Sequence, residues 1–116
     1  MNGIPENINW KFLIGKTIEQ IKVGQFQTIL EIGDVSLSME CEFDFADEKI
    51  TKHGSCTLIQ TLAPLLCLIG HSVTDAFKVN DSLLCLCIEK YKLTIYDSNK
   101  NFESFSINGN GFSVIV

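Results

Sequence analysis

The stretch Val35-Ser-Leu-Ser-Met-Glu-Cys-Glu-Phe-Asp-Phe45 alternates apolar and polar side chains without a break. An extended chain sends successive side chains to opposite faces, so this pattern predicts a strand with one buried face and one wet face. The buried face is expected to carry Val35, Leu37, Met39, Cys41, Phe43 and Phe45. The wet face is expected to carry Ser36, Ser38 and a row of three carboxylates, Glu40, Glu42 and Asp44.

The residues before this stretch predict its partner strand. Residues 26–32 form a second apolar-rich run, and the intervening Gly33-Asp34 is a two-residue hairpin signal. With that loop Leu30 faces Leu37 on the apolar side, and Glu31 falls on the polar side. A slip by one residue would mix apolar with polar positions, so the pattern defines the register.

The rest of the chain predicts further strands and one short helix. The apolar run that begins at Leu62 ends before Gly70, and Pro64 suits the first turn of a helix that begins near Thr61. Because this run is apolar nearly all round, we expect the helix to be covered on all sides. Strands are expected at residues 17–23, 73–79, 83–88, 92–97, 102–107 and 112–116, and the charged residues 46–55 are expected to form a loop.

Two halves of the chain resemble each other. Leu13-Ile-Gly-Lys-Thr-Ile18 matches Leu68-Ile-Gly-His-Ser-Val73, and the following apolar positions align as well. In the second half Leu86 faces Leu93 across Glu89-Lys90, as Leu30 faces Leu37 in the first. These repeats, at about residues 12–45 and 67–97, predict a single α+β domain spanning residues 1–116. It would contain two antiparallel three-stranded meanders, a C-terminal hairpin and one central helix packed on the sheet.

Composition limits the class of protein and of partner. The 116 residues are 46% hydrophobic, which suits one domain with one core, and the net charge is -5. This charge disfavours binding to nucleic acid or anionic membranes and suits a basic partner, although many proteins are acidic only for solubility. The five cysteines are odd in number and lie mostly in apolar runs, which predicts free thiols in a cytoplasmic protein.

The N-terminus and the apolar runs predict no targeting or membrane segment. Residues 1–10 lack a basic region followed by an apolar one, as a signal peptide would have. The longest apolar run, residues 62–70, is far shorter than the roughly 20 residues that span a bilayer.

Few side chains suggest chemistry. His53 and Cys56 are three residues apart, a spacing compatible with a thiol–imidazole pair or half a metal site. No second pair with ligand spacing accompanies them, so we expect no metal, no cofactor and no catalytic residue.

A row of carboxylates is the candidate for binding a partner. The candidate residues are Glu40, Glu42 and Asp44, together with Glu31 from the paired strand. The sequence offers no clear Lys or Arg opposite them to compensate their charge. The alternative is that these carboxylates form only a solvated sheet face.

Several motifs resemble a family of small bacterial domains of unknown function. The resemblance covers nearly the whole chain and implies a fold but no catalytic residue. The motifs are Leu13-Ile-Gly15, Leu62-Ala-Pro-Leu-Leu66, Leu68-Ile-Gly70, Leu93-Thr-Ile-Tyr-Asp97, Phe102-Glu-Ser-Phe105 and Val114-Ile-Val116. The small size and acidic charge are also similar to immunity proteins of contact-dependent growth inhibition and related polymorphic toxin systems.

These observations favour a cytoplasmic immunity protein that binds and neutralises a cognate toxin domain. A basic nuclease is the expected target, because an acidic sheet face can occupy a surface built to hold phosphates. The chain would then be no enzyme and would contact neither nucleic acid nor membrane itself. The alternative is a non-enzymatic binding or structural module that forms a homodimer through a sheet edge.

Overall fold

The computed structural model describes residues 4, 8–97, 105–109 and 112–116, which form two five-stranded antiparallel sheets around one core. The first sheet has the strand order β1-β2-β3-β9-β10, and the second has β5-β4-β8-β7-β6. The strands are β1 (Ile18–Val23), β2 (Thr28–Ile32), β3 (Val35–Met39), β4 (Glu42–Ala46), β5 (Thr51–Ser55), β6 (Val73–Asn80), β7 (Leu83–Ile88), β8 (Tyr91–Tyr96), β9 (Phe105–Gly109) and β10 (Phe112–Ile115). Short 3-10 helices occupy Trp10–Leu13, Ile59–Thr61 and Ala63–Leu68. The prediction of an α+β fold with antiparallel sheets is confirmed.

The predicted register of both hairpins is confirmed. Leu30 pairs with Leu37 in the β2–β3 hairpin, and Leu86 pairs with Leu93 in the β7–β8 hairpin. All four side chains are buried in the same core. Because the side-chain period of a strand is two, this register also places the alternate apolar residues Ile32, Val35, Leu84 and Ile95 on the core side.

Residues 35–45 do not form the one continuous strand that their alternation predicts. Strand β3 ends at Met39 and β4 begins at Glu42 in the other sheet. The six apolar residues from Val35 to Phe45 are nevertheless all buried. Both sheets face one core, so the alternation of burial continues through the corner where the chain changes sheets.

The prediction of a loop over residues 46–55 is wrong, because Thr51–Ser55 forms the edge strand β5. Its sequence, Thr-Lys-His-Gly-Ser, lacks the apolar alternation of the other strands. Gly54 occupies an inward position, and a Cβ atom there would lie 2.5 Å from Cζ of Phe43. The ring of the neighbouring strand therefore fills the space that a hydrophobic side chain of β5 would otherwise occupy.

The central helix starts late, with Pro64 in its first turn and Gly70 beyond its end, as predicted. It is a 3-10 helix, in which side chains three residues apart lie on one face. Leu65 and Leu68 are therefore buried together, whereas Leu66 is 56% exposed. The prediction that this helix is covered on all sides is wrong, since a 3-10 helix this short buries only one stripe.

The two halves are related by reciprocal main-chain hydrogen bonds. Gly15 N–H donates to the carbonyl of Val73 at 2.8 Å, and Gly70 N–H donates to the carbonyl of Ile18 at 2.8 Å. Each bond joins the Leu-Ile-Gly lead-in of one repeat to the first strand of the other. The hydroxyls of Thr17 and Ser72, which occupy equivalent positions of the repeat, hydrogen-bond to each other at 2.9 Å between these lead-ins.

The repeat is longer than the sequence indicated. The β4–β5 hairpin of the first half pairs with β8 of the second, and the β9–β10 hairpin pairs with β3 of the first. Each half contributes three strands to one sheet and two strands to the other. If the two halves of the chain are exchanged, the strand order of one sheet becomes the strand order of the other. The C-terminal hairpin is thus the counterpart of β4–β5. Residues 102–104 of the predicted strand lie outside the described residues, as do residues 110 and 111 between the last two predicted strands.

The second hairpin turn reproduces the first without its glycine. Glu89 has a φ of 56° and occupies the position of Gly33, whose φ is 61°. Positive φ is unfavourable for a residue with a side chain. The Glu89 carboxylate accepts hydrogen bonds from the Ser72 N–H at 2.7 Å and from His71 Nδ1 at 2.9 Å, and these bonds compensate for the strain.

We predict an order of stability for two substitutions at this turn. Glu89→Ala removes both hydrogen bonds and keeps the strained φ, so the free energy of unfolding should fall. Glu89→Gly removes the same bonds but relieves the strain, so it should recover roughly 1 kcal/mol of that loss. Urea denaturation of the three proteins tests this order. A glycine variant no more stable than the alanine variant would contradict the assigned strain.

Candidate functional site

The four predicted partner-binding residues are not all on one surface. Glu42 and Asp44 lie on the outer face of β4 in the second sheet, and Glu40 is exposed at the corner before that strand. Glu31 lies on β2 in the first sheet, where its carboxylate accepts a hydrogen bond from Ser36 Oγ at 2.7 Å. The structure therefore brings Glu42 and Asp44 together, places Glu40 ahead of them and separates Glu31.

His53 on β5 lies between the two carboxylates of β4. Its Nε2 is 2.7 Å from Glu42 Oε1, and its Nδ1 is 2.8 Å from Asp44 Oδ1. The Tyr96 hydroxyl on β8 donates to the other carboxylate oxygen of Asp44 at 2.6 Å. We call these four residues the carboxylate–imidazole cluster. It spans three adjacent strands of the second sheet.

The hydrogen bonds of the cluster determine its charge. The bonds to Asp44 and then to Glu42 raise the pKa of His53 above its usual value, and the bond to Asp44 raises the pKa of Tyr96. Both ring nitrogens of a histidine can donate only when the imidazole is protonated. While His53 is protonated, two carboxylates and one imidazolium give the cluster a net charge of -1. With both nitrogens bound to carboxylates, His53 has no free lone pair to act as a general base.

Sequence reasoning missed two members of the cluster. It paired His53 only with Cys56, but Cys56 is fully buried whereas the His53 side chain is 54% exposed. The sequence shows no clear Lys or Arg opposite the carboxylates, and in the structure it is His53 that pairs directly with Asp44 across the hairpin. A hairpin turn over residues 47–50 was the available signal, since it places residue 53 opposite residue 44. Tyr96 gives no such local signal.

The internal repeat provides a comparison for this site. In the first sheet the equivalent cross-strand pair is Ser106 with Ile115, in place of Asp44 with His53. The pair in the first sheet is uncharged, while the pair in the second sheet is ionised and hydrogen-bonded. Both pairs occupy the same structural position, so the fold alone does not require the ionised residues.

A groove with a volume of about 740 Å³ lies beside the cluster. One wall comes from the β4–β5 hairpin and the other from the 3-10 helices and their junction. His53 belongs to both the groove and the cluster. The lining residues are Phe45, Asp47, Ile50, Lys52, His53, Gln60, Thr61, Ala63, Pro64 and Cys67.

Neither a metal cluster nor a membrane-spanning helix occurs in the described part of the chain. No group of three or more His, Cys, Asp or Glu residues there is placed to hold a metal ion, and all five cysteines are free. No helix in the same residues is long and apolar enough to cross a membrane. No family model, curated protein or solved structure matches this chain.

The raised pKa of His53 predicts a pH-dependent contribution to stability. A group that binds its proton more tightly in the folded state stabilises the fold below its unfolded pKa, about 6.5 for histidine. This contribution should disappear as pH rises through the higher pKa of the folded state. Thermal unfolding of the parent and of His53→Gln should therefore differ most near pH 6 and converge in mild alkali. The difference should be small because the side chain is half exposed.

Direct titration provides the control for this prediction. The imidazole proton signals of His53 in NMR spectra should titrate with a midpoint above about 6.5. In a Glu42→Gln/Asp44→Asn variant the midpoint should fall, because both charged acceptors are gone. A parent midpoint at or below the usual histidine value would show that the carboxylates do not hold the proton in solution.

Proposed function

We propose that this chain is a cytoplasmic immunity protein that binds and neutralises a basic toxin domain, with a nuclease as the target. The observation that supports the proposal is the carboxylate–imidazole cluster, an oriented anionic group on an accessible sheet face. The equivalent of the Asp44–His53 pair in the other sheet, Ser106 with Ile115, is neutral. Because the fold does not require the charges of the cluster, we attribute them to recognition of a partner protein.

The carboxylates are oriented before a partner arrives. Both carboxylate oxygens of Asp44 are hydrogen-bonded, one to His53 and one to Tyr96. Glu42 is hydrogen-bonded to His53 through one oxygen. The side chain of Glu42 is nevertheless 50% exposed. An accessible but ordered carboxylate loses less conformational freedom when it binds, so more of the interaction energy contributes to affinity.

The proposed mechanism is occupation of the surface by which the toxin would hold nucleic acid. Arg and Lys side chains that bind phosphates also form strong charge-assisted hydrogen bonds with carboxylates. A basic side chain bound to Glu42 and the exposed Glu40 is no longer available to a phosphate. The net charge of -5 adds long-range attraction between the two proteins.

His53 makes this recognition dependent on pH. While the imidazole is protonated, the cluster carries one negative charge, and after deprotonation it carries two. Affinity for a cationic partner should therefore increase as pH rises through the raised pKa of His53. By linkage, binding of that partner should release a proton from His53.

The test uses the protein encoded by the gene next to the one for this chain. That protein should co-purify with the parent and lose its nuclease activity in the complex. Glu42→Gln/Asp44→Asn should slow association about tenfold and reduce its dependence on salt, because the oriented charges are removed. Association rates at several salt concentrations and residual nuclease activity are the two measurements.

A matched control removes two carboxylates from the first sheet. Glu19→Gln/Glu31→Gln should change the association rate by no more than about twofold, since these carboxylates lie away from the cluster. If both double variants slowed association equally, the effect would come from the net charge of the protein and not from the cluster. An adjacent gene product that neither binds the chain nor is inhibited by it would overturn the proposed function.

A further inference from the structure

The outer edge of β5 is the second structural feature at this end of the molecule. Strand β5 is the outermost strand of its sheet, and within the described residues it pairs only with β4. An edge strand presents main-chain N–H and C=O groups that can pair with another chain. The hydrogen-bonding pattern of the hairpin shows which groups of β5 point outward.

The main-chain hydrogen bonds at the two ends of the hairpin define this pattern. Cys56 N–H donates to the carbonyl of Cys41 at 3.1 Å, and Asp47 N–H donates to the carbonyl of Ile50 at 3.0 Å. In an antiparallel pair, hydrogen-bonded positions alternate with non-hydrogen-bonded ones. The main-chain groups of Thr51, His53 and Ser55 therefore point away from β4.

Of these three outward positions, only Ser55 is hydrogen-bonded within the described residues. Its N–H donates to Thr61 Oγ1 at 2.9 Å, and its carbonyl accepts from the Leu58 N–H at 2.9 Å. In the described part of the chain, the outward main-chain groups of Thr51 and His53 are not hydrogen-bonded. Residues 55–61 therefore occupy one end of the β5 edge. The main-chain groups of Thr51 and His53 remain available to an added strand.

The groove lies along this open edge. Lys52, between the two open positions, lies on the same side of β5 as the groove residue Phe45, with which it pairs. A strand added to β5 would place the residue opposite Lys52 on that side. Much of the groove wall there is apolar, formed by Phe45, Ile50 and Pro64 among others. An apolar side chain of the added strand would fit this space.

We propose that the β5 edge binds an extended segment of the partner protein as an added strand of the second sheet. Two residues of the segment would exchange main-chain hydrogen bonds with Thr51 and His53. The residue between them would place an apolar side chain in the groove. This inference rests on the proposed function, because it describes how the same partner engages the chain, but its test does not require that partner.

Charge indicates the composition of the segment. The side chains on either side of the apolar residue lie on the outer face, next to the carboxylate–imidazole cluster. The cluster has a net negative charge, so Arg or Lys is favoured at those positions. A second copy of this chain is a poorer occupant, because antiparallel self-pairing of β5 in this register would place Lys52 opposite the Lys52 of the other copy, where the groove favours an apolar side chain. The segment therefore alternates basic and apolar residues.

The probe is a phage-displayed library of short random peptides selected on the immobilised parent protein. Enriched peptides should alternate basic and apolar residues. When such a peptide is synthesised and bound, hydrogen exchange at the amides of Thr51 and His53 should slow, since both gain acceptors. Thr51→Pro removes an outward N–H without touching the β4 pairing and should weaken binding about tenfold. Ala63→Leu should weaken it by filling the groove.

Ser113→Pro is the matched control, because Ser113 is the counterpart of Thr51 on β10, the edge strand of the other sheet. This variant should bind within about twofold of the parent. If Thr51→Pro fails to fold, hydrogen exchange on the parent still identifies the docking edge. The inference is overturned by a selection that enriches no peptide, by unchanged affinity of Thr51→Pro, or by protection at another edge. A parent dimer in sedimentation that protects these amides would identify a second copy as the occupant and overturn it too.

The two proposals can fail separately. If peptides bind at β5 but the adjacent gene product is not neutralised, the strand-docking proposal stands and the proposed immunity function is wrong. If neutralisation depends on Glu42 and Asp44 but not on Thr51, the proposed function stands and the strand-docking proposal is wrong.

Discussion

The fold depends on one constraint: neither half of the chain can complete a sheet by itself. A three-stranded meander from one half leaves an edge of its third strand unpaired and its apolar face uncovered. The hairpin of the other half pairs with that edge, β4 with β8 and β9 with β3. Unpaired main-chain groups next to a core are costly, so this exchange holds the halves in one cooperative unit.

The exchange also determines where the first strand of each half must begin. Gly15 and Gly70 both have a φ of 90°, and each donates its N–H to the first strand of the other half. The Thr17–Ser72 contact lies between these two bonds. Three independent features, namely the Leu-Ile-Gly lead-ins, the exchanged hairpins and the shared core, therefore support the same pseudo-twofold arrangement. Agreement of this kind between local and global structure is characteristic of a uniquely folded domain.

Symmetry of the main chain makes asymmetry of the side chains informative. The two hairpins that cross between sheets have the same pairing, yet among the described residues only β4–β5 carries the carboxylates and the imidazole of the cluster. Strand β5 also has an unusual composition, with Gly54 beneath the ring of Phe43 and polar residues at the other positions. Such a strand contributes little to the hydrophobic core. Its sequence is therefore less constrained by packing than that of the central strands and is available for recognition.

The sequence by itself determined the local features. Alternation identified the buried residues from Val35 to Phe45, and Gly33-Asp34 defined the register in which Leu30 meets Leu37. These features depend on side-chain period and turn length, which are properties of neighbouring residues. The sequence also indicated the repeat and the late start of the central helix at Pro64. It did not reveal that β3 and β4 belong to different sheets, because burial alternates in the same way on both.

The tertiary structure alone decided the composition of the candidate site. Tyr96 reaches Asp44 because β8 pairs with β4 across 52 residues of chain, and no local pattern encodes that pairing. His53 reaches the same carboxylate through a strand with no apolar alternation to signal it. Glu31 and Glu42 have the same chemistry and similar strand positions, yet they lie on different sheets. Which charged residues share a surface is a consequence of long-range strand pairing, and for that reason only the folded chain decides it.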